Sequence, residues 1–158
     1  NFRTVDKAVA FKLNSLLKKT NSDFINIVKI VMETRNTGKL KGLYTVTPAI
    51  SVIESGKHWT NDDYPIELLI ERINNNAKRK YSYWFDSEID REHSFIDDIK
   101  QMNKKTIVLP YKNGVLLTNK FKIKVKEDEV SQKLAGIVYG TGLLEKNSLG
   151  LGYCTIAK

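Results

Sequence analysis

The sequence predicts an α+β chain on the ferredoxin-like (RRM-like) plan, with the second of two tandem repeats complete and the first only partly present. Strand-type and helix-type periodicities follow one another over residues 43–158 in the order β-α-β-β-α-β. Residues 1–34 run β-α-β, the second half of the same unit. Composition agrees: 158 residues, 41% hydrophobic and 28% charged, suit a packed core and exclude disordered and collagen-like chains. The expected organisation is 1–42, the second half of an N-terminal repeat plus a linker, and 43–158, a C-terminal domain with a glycine-rich loop. The first residue is Asn rather than Met, and a chain that opens within a repeat is expected to be a piece of a longer protein.

Each element has a local reason. Residues 1–5 read as the end of a strand. Asp6 offers an N-cap for a helix through about Lys19, with Ala10, Leu13, Leu16 and Leu17 forming its apolar stripe. Phe24 to Met32 is rich in β-branched residues and reads as a strand, broken at Asn36-Thr37-Gly38. Residues 43–54 form the next strand, in which Pro48 implies an edge or a bulge. After a Ser55-Gly56 turn, Asn61, Asp62 and Asp63 offer caps with Pro65 in the first turn. Ile66, Leu69, Ile70, Ile73, Ala77, Tyr81 and Trp84 then recur at helical spacing. Residues 86–98, strongly acidic, read as a surface excursion. Residues 106–111 and 115–126 read as a hairpin around Lys112-Asn113-Gly114. In its second arm Phe121, Ile123 and Val125 alternate with Lys120, Lys122, Lys124 and Lys126. Glu127-Asp128-Glu129 opens a last helix with Val130, Leu134, Ile137 and Val138 inward, and residues 153–157 close as a strand.

Charge narrows the function classes. The formal balance is +8, distributed as +6 over residues 1–42, −4 over 43–100 and +6 over 101–158. Basic ends around an acidic middle suit a polyanion-binding face, or a set of solvated lysines. A single cysteine, Cys154, excludes a disulfide framework and a CxxC-type zinc site, and its plainest role is a small core residue. No apolar run approaches a membrane span and no signal-peptide pattern opens the chain, so a cytoplasmic protein is expected.

The sharpest local signal is the segment from Gly140 to Gly152, GTGLLEKNSLGLG. Its glycine density suits either a tight structural connection or a loop whose backbone approaches phosphate oxygens, with Lys146, Asn147 and Ser148 as donors. It fits neither a Walker loop nor a dinucleotide-binding fingerprint.

Residues 145–152, Glu-Lys-Asn-Ser-Leu-Gly-Leu-Gly, resemble the C-terminal signature of the CRISPR-associated endoribonucleases that process repeat RNA, members of the RAMP superfamily. Thr47-Pro48 is similar to that family's threonine-proline at the start of its second domain. Gly142, Gly150 and Gly152 match the family's glycines, whereas Leu144 stands where the family usually has another. The resemblance covers 43–158, and 1–42 through topology alone. It implies metal-independent cleavage of precursor CRISPR RNA, with the adjacent 2′-hydroxyl attacking the scissile phosphate. It implies CRISPR repeat RNA or crRNA as partner, along with other Cas proteins of an interference complex. No cofactor, metal, membrane or direct DNA partner is expected. Family members that use histidine take it from an early segment of the first repeat, so no catalytic residue carries over.

The RNA-binding candidates are therefore Gly142, Lys146, Asn147, Ser148, Gly150 and Gly152 in the loop, and Lys120, Lys122 and Lys124 on the strand. The strand lysines are spaced about 7 Å apart, close to the phosphate repeat of an extended strand. His58, beside Lys57 and Trp59, is the one candidate for catalysis here, against the plainer reading of a surface-loop histidine. His93 sits in an acidic stretch that would repel RNA. Tyr81, Tyr83 and Trp84 suit base stacking or, for Tyr81 and Trp84, helix packing. Lys78, Arg79 and Lys80 suit phosphate contact or a helix C-terminus. Two readings compete with the endoribonuclease: a non-catalytic RNA-binding subunit of a CRISPR ribonucleoprotein, and an unrelated ferredoxin-like interaction module.

Overall fold

The computed structural model describes residues 3–20, 24, 27–34 and 38–157. The chain divides into two compact units, residues 1–38 and 39–158.

In the first unit, α1 (Lys7–Lys19) starts where expected. Asp6 accepts hydrogen bonds from the backbone N–H groups of Ala8 and Val9 at 2.7 and 3.3 Å, satisfying donors that the first turn leaves open. None of the helix's residues is fully buried. The strand expected over 24–32 is absent where it is described: Phe24 and residues 27–32 carry no strand pairing, and Val28 is 90% exposed. β-branched content favours a pleated conformation only where a neighbouring strand supplies hydrogen bonds, and this unit has none among its described residues. Residues 3–5 are likewise irregular. Residues 1, 2, 25 and 26 of these two expected strands lie outside the described residues, as do Asn36 and Thr37 of the expected break.

The second unit contains β1 (Gly42–Thr45), α2 (Ile66–Phe85), β2 (Ile96–Gln101), β3 (Ile107–Tyr111), β4 (Gly114–Thr118), β5 (Phe121–Val125), α3 (Glu129–Thr141) and β6 (Cys154–Ile156). Four strands make one antiparallel sheet in the order β2-β5-β1-β6. Skipping β3 and β4, this is the ferredoxin-like βαββαβ arrangement. β3 and β4 form a separate two-stranded hairpin. The fold class is as expected, but the second strand lies elsewhere. It is β2, inside and just beyond the stretch read as a surface excursion, and the 106–118 hairpin is an insertion. Aspartates disguise β2 because only one of its faces is apolar: Ile96 is buried and Ile99 half-buried, while Asp97, Asp98 and Lys100 face solvent. The long strand expected over 115–126 breaks at Asn119-Lys120, where Asn119 exchanges two backbone hydrogen bonds with Ala49 and Lys120 N–H donates to Asn103 Oδ1.

Two further expectations change. β1 ends at Thr45 in the sheet interior, so Pro48 follows the strand instead of sitting at an edge or a bulge. Pro65 itself occupies the N-cap of α2, and Asp63 accepts from Thr60 Oγ in the preceding turn. Asp128 caps α3 by accepting from Ser131 N–H at 2.9 Å.

The core lies on one face of the sheet. Leu43, Phe121, Ile123 and Val125 meet Leu69, Ile73 and Ala77 of α2 and Leu134, Ala135 and Val138 of α3. Each large aliphatic or aromatic side chain buried there contributes about 1.5–3 kcal/mol. Trp59 belongs to this core, its Nε1 donating to the Pro65 carbonyl at 3.0 Å, so it is no partner for His58 in contacting a ligand. Cys154 is buried in it too. No described helix is long and apolar enough to cross a membrane.

Candidate nucleic-acid interface

The glycine-rich loop takes its shape from a lysine beneath it. α3 ends at Gly142, whose φ of 95° turns the chain out of the helix. From α2, Lys80 reaches under the turn. Its Nζ donates to the carbonyls of Gly142 and Leu144 at 2.7 and 2.9 Å and to Asn147 Oδ1 at 2.7 Å. Burial pushes this amine down to about 8, partly opposed by the Glu145 carboxylate. Asn147 Nδ2 donates in turn to the carbonyls of Leu143 and Leu151 at 3.1 and 2.9 Å. The Asn147 amide, a predicted phosphate donor, is thus occupied inside the loop.

Packing explains two of the glycines. A Cβ on Gly152 would stand 2.0 Å from the Leu143 carbonyl oxygen, and one on Gly142 would stand 2.6 Å from Asn147 Nδ2. Leu144, where the resembled family usually has glycine, has φ 59°, left-handed backbone that disfavours a side chain. The side chain is fully buried, and that burial offsets a strain of about 1–2 kcal/mol. Thr47-Pro48 closes the loop from the other side: Gly152 N–H donates to the Pro48 carbonyl at 2.8 Å and Thr47 Oγ to the Gly150 carbonyl at 2.7 Å. The two sequence segments that carry the resemblance therefore meet in space.

The outer side of the loop is basic and aromatic. Ser148, Leu149 and Gly150 are exposed. Lys146, in left-handed backbone with φ 56°, holds its Nζ 5.2 Å from the centre of the Tyr111 ring, and Lys112 Nζ lies 5.5 Å from the same ring. His58 stands nearby. Its Nδ1 accepts from Leu117 N–H at 3.2 Å, and burial together with the Lys146 charge lowers its pKa, favouring the neutral ring. Glu145 pairs with Arg72 at 3.6 Å and accepts from Val52 N–H, fixing the backbone just before Lys146.

A second basic surface lies on the open face of the sheet. Lys122 and Lys124 alternate with buried Phe121, Ile123 and Val125. Lys122 is flanked in register by Tyr44 of β1 and Lys100 of β2. Lys124 bonds to Asp97 at 2.5 Å. That hydrogen bond holds the Asp97 carboxyl below its usual range and raises the Lys124 ammonium, both groups lying at the surface. Lys120 precedes β5 and is half-buried.

Other candidates fall outside both surfaces. His93 Nε2 lies 3.0 Å from buried Ser131 Oγ and 3.5 Å from Asp128, so it fastens the acidic stretch to the start of α3. Because α2 runs to Phe85, its last turn holds no basic residue, and Lys78, Arg79 and Lys80 do not complement its dipole. Lys78 instead donates to the Arg91 carbonyl. Tyr81 packs on the core, while Tyr83 is exposed and edge-on to Trp84. Among the described residues, no three His, Cys, Asp or Glu side chains group to hold a metal. Sequence reading missed the role of Lys80, although Ile73, Ala77 and Lys80 at spacings of four and three put it on the buried stripe. It also missed Tyr111, which only tertiary packing brings to Lys146.

Residues 34–156 match the family described as "CRISPR associated protein Cas6, C-terminal". Among solved structures, one described as "CRISPR associated protein Cas6" shares 20% identity and a TM-score of 0.56 over 79% of this chain and 52% of that one. The product of a Cas6-related gene from Pyrococcus furiosus shares 18% identity with a TM-score of 0.67, covering 99% of this chain and 66% of that one. "An RAMP protein binding different RNA substrates" shares 18% identity with a TM-score of 0.62, covering 99% and 67%. At these identities the likeness is one of fold. This chain thus spans about half to two thirds of the length of these structures. No curated protein matches the sequence.

Proposed function

The chain belongs to the Cas6 family of CRISPR-associated proteins, and from that membership we propose that it binds CRISPR repeat RNA. Within the whole protein it takes part in cutting precursor CRISPR RNA by metal-independent attack of a 2′-hydroxyl. In this reading residues 1–42 are the second half of an N-terminal ferredoxin-like repeat plus a linker. The protein acts in the cytoplasm and passes its product to other Cas proteins. The observation that carries the proposal is the cluster of Tyr111, Lys112 and His58 around Lys146, beside a loop whose inner polar groups are already bonded. Cations beside an aromatic ring suit a nucleotide strand, whose phosphates and bases alternate.

The division of labour follows from the chemistry. Transesterification needs a base, an acid for the leaving oxygen and cationic stabilisation of the phosphorane. The loop supplies the cations, and the acid–base pair comes from the first repeat. The test is a mobility-shift and cleavage assay on a CRISPR repeat RNA with chelator present. This chain should retain the RNA intact with an affinity that falls as salt rises. The whole protein should cut it, and a 2′-deoxy substitution at the scissile position should abolish cutting but leave binding. Absence of RNA binding by both forms would sink the proposal; binding without cutting by the whole protein would favour the non-catalytic subunit.

A further inference from the structure

Between the turn at 57–64 and β4 lies a cleft of about 450 Å³, lined by Lys57, His58, Asp63, Tyr64 and Leu117. The volume exceeds that of one nucleotide, and the lining is mixed in the way a nucleotide requires. Tyr64 and Leu117 give an aromatic and an aliphatic wall. Lys57 is an exposed cation. Asp63 uses one carboxylate oxygen to accept from Thr60 Oγ, leaving the other able to accept from a base amine. A hydrogen bond fixes the tautomer of His58: with Nδ1 accepting from Leu117 N–H, the neutral imidazole carries its proton on Nε2 as a donor. Protonating Nδ1 would break that bond, and burial and the Lys146 charge both oppose it.

We propose that this cleft is a subsite for one unstacked nucleotide of a bound RNA strand, its base against Tyr64 and Leu117, its edge toward His58 and Asp63 and its phosphate toward Lys57. It rests on the RNA-binding reading above and adds a position to it. His58 pairs by a backbone bridge with Val52, whose N–H donates to the Glu145 side chain beside Lys146, so the subsite adjoins the glycine-rich loop and one strand can touch both. His58 is here a neutral hydrogen-bond donor that reads a base.

The experiment uses the full 158-residue chain and a fluorescein-labelled single-stranded oligoribonucleotide of mixed sequence. Anisotropy gives affinity, and NMR follows the His58 imidazole and Tyr64 ring on titration. Both resonances should shift and saturate. Tyr64→Leu should weaken binding about tenfold, the usual loss for one stacked base, and His58→Ala about fivefold, the usual loss for one hydrogen bond. Thermal melts identify a variant that merely unfolds, and in that event the wild-type resonances alone decide. Unmoved His58 and Tyr64 signals with RNA still bound would overturn the subsite and leave the RNA-binding reading standing. Shifts with free mononucleotides but not with the oligomer would also overturn it, by assigning the cleft to a small ligand. No binding of any RNA would fail the broader reading first.

Discussion

Around the loop of residues 142–152, the side chains of Lys80 and Asn147 direct all their hydrogen-bond donors inward, to three acceptors and two carbonyls respectively. On β5 the same residue type does the opposite: Lys122 and Lys124 stand in solvent on a regular strand whose shape owes nothing to them. Both regions carry lysines that the sequence associates with one polyanion. The difference teaches that a lysine's role follows from what its backbone lacks. Paired strands already have their hydrogen bonds, so their backbone asks nothing of these cations, and Lys124 pairs instead with Asp97 at the surface. A tight loop leaves carbonyls without partners, and a buried ammonium supplies them.

The largest expected effect tests the loop side of this contrast. Lys80→Met strands the carbonyls of Gly142 and Leu144 and Asn147 Oδ1, and should cost about 3 kcal/mol in urea unfolding. A loss below about 1 kcal/mol would mean that the loop holds its shape without the cation. The pH dependence is distinctive. With the folded-state pKa at about 8, below the 10.5 of an ordinary lysine, the unfolded chain holds more protons between those values. Stability should therefore rise with pH from about 8 to 10.5 through this group, and that component of the rise should vanish in Lys80→Met.

A smaller effect separates glycines within the loop. Gly152→Ala pushes a Cβ into the Leu143 carbonyl at φ 68° and should cost about 2–4 kcal/mol in thermal melts. Gly150→Ala meets open space at φ 80° and should cost about 1 kcal/mol. Equal costs would show that left-handed backbone alone, and not close packing, selects both.

The smallest effect sharpens the sheet side. Lys146→Ala should lower the logarithmic salt dependence of RNA binding by about one, with little change in stability. Lys124→Ala should lower it less, because Asp97 already neutralises that ammonium. A full unit lost at Lys124 and none at Lys146 would move the RNA from the loop to the sheet.

How far the sequence could be read depended on whether a signal was local. Helices declared themselves through Asp6, Asp128 and the stripe from Ile66 to Ala77, because caps and apolar spacing are properties of the segment itself. β2 escaped because Asp97 and Asp98 mask an apolar face that exists only against a helix layer. Phe24 to Met32 misled for the converse reason, since propensity supplies no partner strand. Of the site, the Gly-rich segment and Lys146 were legible by composition. Gly142, Gly152 and Asn147 were found for a ligand, and their geometry gives each an internal task. The His58, Lys146 and Tyr111 cluster joins three distant segments, which no local pattern encodes.

The outer strands of the four-stranded sheet bear on how the protein behaves when crowded. An unpaired strand edge is a template for another chain, and among the described residues β2 and β6 are the two edges of this sheet. β2 carries Asp97, Asp98 and Lys100 and a register break between Ile96 and Asp98. β6 is only three residues long. Charge, irregularity and brevity deny an incoming strand a continuous ladder, so this domain resists edge-to-edge aggregation at both sides of its sheet.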